Sequence, residues 1–221
     1  MENVAALDIL SNHARHKFRR IDRRAAALRQ RLTTEGKNLN EHEFETETSS
    51  LVINIQSYWS NWCRSFYVSS CLGATSATGV NISSGLGPLS EHQALTVAIK
   101  GTLTPAKAPP AVWSSAQEPK WFSPTDLSSA LGKALITNEA TISGFLISQD
   151  QVLSHLRTTR NYYAHRSEHL KADALSLGPS YLVGLPAKPS DILHFVEPGR
   201  SVSVLQRWII ALDQLAGAVC A

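Results

Sequence analysis

Apolar residues recur along most of this chain at steps of three and four, a period that predicts helices. The clearest run is Leu7, Ala14, Phe18, Ile21, Ala25, Leu28 and Leu32, one stripe of a long amphipathic helix whose opposite face is cationic. A second helix is expected over 41–71, with Phe44, Leu51, Ile55, Tyr58, Trp59, Trp62 and Phe66 supplying a broad apolar face. Aromatics at that spacing serve a core rather than a base-stacking platform. From 73 to 123 the composition shifts to Gly, Ser, Thr and Pro, as in Gly85-Leu86-Gly87-Pro88, which predicts a loop-rich insertion holding one short helix over 90–100. Ser123-Pro124 has the N-cap and first-turn chemistry of a helix through Ala134. Further on, Tyr181-Leu182-Val183 reads as a short extended piece, and 201–219 as a closing helix that carries Val204, Trp208, Leu212 and Leu215. Together these elements predict an all-α bundle of four to six helices, a single domain over 1–221 with the 73–123 insertion at its centre.

The chemistry concentrates on another expected helix. Ser148-Gln149-Asp150-Gln151 reads as a capping box that starts it. On a wheel of about 100° per residue, Val152, Leu156, Tyr163 and Leu170 cluster as the buried stripe. Arg160 falls at the edge of that stripe, where an unpaired guanidinium is costly and calls for a partner or a ligand. Asn161 and His165 are four apart, close enough for the amide to fix which imidazole nitrogen holds the proton. An always-charged guanidinium and an imidazole that titrates near neutrality are the two groups needed to cleave a phosphodiester without a metal.

The run Leu156-Arg157-Thr158-Thr159-Arg160-Asn161-Tyr162-Tyr163-Ala164-His165 resembles the signature of the HEPN superfamily, small all-α domains with an arginine, a polar residue, and a histidine four to six residues after the arginine. The resemblance implies a metal-independent endoribonuclease working as a homodimer, with both arginines and both histidines lining one cleft. Arg160, Asn161 and His165 are the catalytic residues it carries over. Attack by a ribose 2'-hydroxyl would use His165 as general base or acid and Arg160 as the phosphate clamp, with Arg157 and Arg166 as candidate RNA contacts. A toxin-antitoxin or antiviral-defence setting is implied too, with an antitoxin or another defence-system protein as partner. Ser167 stands two residues after the histidine, where some toxin members carry a tyrosine, which speaks against control by tyrosine adenylylation. Two other classes fit the residues: a catalytically inactive HEPN-like nucleotide- or RNA-binding scaffold, and a DNA-associated regulator acting through the first helix.

Charge changes the picture only near the N-terminus. The net charge is +3, and residues 1–35 hold eight Lys and Arg against four Asp and Glu. Arg19, Arg20 and Arg23 are therefore candidate RNA-binding residues, although the same face would also suit plain solvent or pairing with Glu41, Glu43, Glu45 and Glu47. Three cysteines without a CxxC pair fit a reducing compartment, and neither they nor His13, His16 and His42 have ligand spacing, so no metal and no cofactor is expected. Phosphate-binding glycine loops of the Walker or Rossmann kind are not found. The early residues do not read as a signal peptide, and 65–90 is too polar for a membrane span. A cytoplasmic protein is the expectation.

Overall fold

The computed structural model describes residues 5–105 and 107–221. With 67% of the described residues helical, it belongs to the all-α class. In chain order the elements are β1 (Ala5–Ala6), α1 (Leu7–Glu35), α2 (Glu41–Leu72), β2 (Ala74–Thr75), β3 (Asn81–Ile82), α3 (Glu91–Lys100), α4 (Pro124–Lys133), α5 (Glu139–Ser148), α6 (Asp150–His165), α7 (Glu168–Leu175), α8 (Pro189–Leu193) and α9 (Val204–Cys220). Nine α-helices among the described residues exceed the four to six expected: the sequence pattern reads α7 as a continuation of the motif helix, α8 is only five residues long, and α5 spreads its apolar residues around the helix instead of on one face. β2 pairs in parallel with β1 and antiparallel with β3, giving three strands of two residues each. The chain packs as two compact units, one built from the residues up to Arg15 with Trp59–Asp150 and Leu215–Ala221, the other from His16–Tyr58 and Gln151–Gln214.

In the first unit, aromatic side chains from α2 form the core. Trp59 stacks on Trp62 at 5.1 Å and Trp62 on Phe66 at 5.6 Å, while the Trp62 indole donates to the carbonyl of Leu10 at 3.3 Å. The 73–123 stretch is tied down despite its composition. Trp113 and Trp121 are buried; the Trp113 indole donates to Thr96 at 3.1 Å, and Arg64 bridges Glu91 at 3.1 Å and Glu118 at 2.8 Å. Within it α3 is well defined. Ser90 and Gln93 form a reciprocal capping box, and Gly101, at φ +74°, closes the C-terminus in a left-handed turn that a side chain would strain. Ser123 caps α4 with Pro124 in the first turn, as its sequence predicts.

The second unit uses the apolar stripe of α1: Phe18, Ile21, Ala25 and Leu28 are at most 2% exposed. Leu32, expected on that stripe, is 38% exposed near the end of the helix. Leu51, Ile55, Leu156, Trp208 and Leu212 join the core. Tyr181-Leu182-Val183 is not extended: Tyr181 ends a 3₁₀ turn (Gly178–Tyr181) and Leu182 is left-handed at φ +60°. Gly178 is required there, since a Cβ would sit 2.9 Å from the carbonyl of Val183.

Candidate functional site

Helix α6 starts at Asp150, and the proposed capping box does not form. Ser148 is the last residue of α5, and its hydroxyl donates to the carbonyl of Phe145 at 2.7 Å. The buried face of α6 is Leu153, Leu156, Thr159 and Tyr163. Val152 is half-buried. The helix stops at His165, so Leu170 belongs to α7 rather than to the same stripe. Arg166 takes a left-handed conformation at φ +51°, its N–H closes on the carbonyl of Tyr162 at 2.7 Å, and Ser167 caps α7 by accepting from Leu170 at 3.3 Å. One helix therefore turns into the next through two residues, which leaves His165 at a corner.

Around that corner the expected residues separate by environment. Arg160 is half-buried, its position on the wheel falling within the buried arc between Leu153 and Leu156. Its Nη1 donates to Oδ1 of Asn161 at 3.4 Å, a long bond. Asn161 is thus directed at the arginine and not at the imidazole, contrary to the expectation that it orients His165. His165 is exposed and has no hydrogen-bond partner among the described residues. Arg157 is exposed on the same helix. Arg166, also exposed, folds its guanidinium over the rings of Tyr162 at 5.8 Å and Tyr163 at 5.4 Å, a contact that offsets part of the left-handed penalty.

Two polar anchors behind the helix were not foreseen. The first is Tyr163, whose hydroxyl donates to Oε2 of Glu45 at 3.4 Å, while Oε1 of the same carboxylate accepts from Ser190. Burial, reinforced by the Glu45 charge, pushes the Tyr163 phenol far above its ordinary range, so it stays a donor. A phenol on a buried stripe signals the need for such a partner but does not say which residue supplies it. The second is a relay. The Trp208 indole, a donor only, gives its proton to the hydroxyl of Tyr181 at 2.8 Å, and the same hydroxyl shares a hydrogen bond with Nδ1 of His155 at 2.6 Å. Burial lowers the pKa of His155. It is a structural histidine.

Arg19, Arg20 and Arg23 lie on α1 and are exposed. The acidic run does not neutralise them. Glu43 and Glu47 pair instead with Arg31, at 3.4 and 2.6 Å, and Glu41 with Lys188 at 2.7 Å. Among the described residues no group of three or more His, Cys, Asp or Glu is gathered as a metal would need, and no helix is long and apolar enough to cross a membrane. Set against family profiles, curated proteins and solved structures, the chain matches none.

Proposed function

We propose that this chain is a metal-independent endoribonuclease of the HEPN kind, acting as a homodimer in a toxin or defence system. The observation that carries the reading is the division of labour on α6: a half-buried guanidinium and, about 1.4 turns later, an exposed imidazole without a partner among the described residues, on a helix anchored from behind by Tyr163 and His155. Two copies of the helix facing one another bring two imidazoles to one strand. One His165 takes the proton of a ribose 2'-hydroxyl while its mate protonates the departing 5' oxygen. Arg160 stabilises the charge that grows on the phosphorus oxygens. Because Asn161 faces Arg160, it acts on the clamp, and the orienting bond to His165 comes from substrate or from the second copy. An antitoxin or other defence-system protein is the partner this context calls for.

Cleavage is expected in EDTA, to leave 2',3'-cyclic phosphate ends and to spare DNA, which lacks the nucleophile. Replacing His165 with alanine should lower the rate about 10²- to 10⁴-fold. Equal cutting by wild type and His165→Ala in a clean preparation ends the proposal. The alternative, an inactive RNA- or nucleotide-binding scaffold, draws on the unheld imidazole; under it no RNA is cut and Arg160→Ala weakens ligand affinity instead.

A further inference from the structure

A row of arginines on α1 runs into a cleft. Arg19, Arg23, Ala26 and Gln30 are spaced four, three and four apart, so they share one face of the helix. Ala26 and Gln30 line an open cleft of about 390 Å³ together with Arg29, Thr33, Ser201 and Gln206. Arg20 and Arg24 flank the row, and all four arginines before the cleft are exposed. Among the described residues their side chains make one hydrogen bond, from Nε of Arg23 to the carbonyl of Arg19 at 3.3 Å, and no ion pair. The single acid between them, Asp22, accepts from the Gln206 amide at 3.1 Å. From position 16 to 30 there are six basic residues against that one. At the cleft, Arg29 is half-buried and pinned by its bond to the carbonyl of Ser201 at 3.2 Å.

We infer that this face is a track for a nucleic-acid backbone, independent of the cleavage proposed for Arg160 and His165. The guanidiniums recur once per helical turn, about 5.4 Å, and each offers the forked donor pair that a phosphate accepts in bidentate fashion. Their summed field attracts a polyanion by displacing its counterions. Arg29 and the polar cleft wall receive a phosphate at the end of the row. No aromatic side chain lies on the row to stack or read a base, so RNA and DNA bind alike and without sequence preference. A lipid surface fits less well, because the apolar side of α1 is consumed in the core and leaves nothing to enter acyl chains.

The test is anisotropy of a fluorescein-labelled RNA strand and its DNA counterpart over a salt series, using full-length His165→Ala protein so that the RNA stays intact. Both strands should bind with similar affinity. Arg19→Gln, Arg20→Gln, Arg23→Gln and Arg24→Gln together should lower affinity roughly a hundredfold and reduce the slope of log K against log salt by about 3. Lys107→Gln with Lys120→Gln should change neither. Circular dichroism checks the fold, and if the quadruple variant does not fold, Arg19→Gln with Arg23→Gln carries the same test at about half the slope change. An unchanged affinity and slope overturns the inference, as does binding of RNA but not DNA. So does loss of binding to phosphatidylcholine–phosphatidylserine vesicles with both nucleic acids still bound. A wild-type chain that binds strands but never cuts them refutes the catalytic reading and leaves this one standing.

Discussion

His194 shows how one buried side chain sets the acid limit of the protein. Only 5% exposed, it lies against Phe44 at 4.8 Å and bonds Thr48 through Nε2 at 3.0 Å, while Nδ1 has no partner among the described residues. Burial, then the nearby Arg29 charge, pushes its pKa down to about 4. The unfolded chain takes up a proton near pH 6.5 that the folded chain refuses, so the stabilisation is complete above about 6.5 and lost as pH falls to about 4, by about 3 kcal/mol. Denaturant titrations across that window should show the loss, and His194→Leu should flatten most of it; an identical pH profile in the variant would assign the acid sensitivity elsewhere. His155 shifts in the same direction by burial, so some slope should persist.

Among the elements, α6 tests how far a pattern can be read. Its existence was legible, since Arg160, Asn161 and His165 all fall on one helix as the spacing predicts. Its ends were not. A serine three residues ahead of an apolar run looks like a cap whether or not another helix already claims it, and Ser148 is claimed by α5. The stop was hidden because Arg166 is a poor residue for a left-handed position, and only the stacking of its guanidinium on Tyr162 and Tyr163 marks it afterwards. The corrected boundaries make a paired prediction. Ser167→Ala removes a true N-cap and should cost about 1 kcal/mol in thermal or denaturant unfolding, whereas Ser148→Ala should stay within about 0.5 kcal/mol of wild type. The reverse ranking would restore the original reading of the helix start.

For the whole molecule, burial of apolar residues decides more than composition does. The 73–123 stretch reads as loose from its Gly, Ser and Pro content, yet Trp113 and Trp121 each bury a ring and satisfy its N–H, through Thr96 and Glu118. Long-range partners of this kind have no signature in a linear pattern. Three thiols follow the same rule: Cys63, Cys71 and Cys220 are completely buried, and burial raises the Cys71 pKa to about 11, that of Cys220 to about 12 and that of Cys63 well above its usual value. An aromatic disulfide reagent at neutral pH should therefore find no reactive thiol in the native protein and three after denaturation. Rapid native labelling would mean that this core opens.

Every exposed Lys or Arg of α1 is an arginine, and Lys17, the one lysine of that helix, lies over the ring of Tyr58 at 5.6 Å. Dyes or resins that couple to primary amines will thus leave the stripe chemically intact, whereas dicarbonyl reagents that condense with guanidinium will modify it first. Immobilised preparations made through amines keep this surface available; dicarbonyl treatment erases it while sparing Lys17.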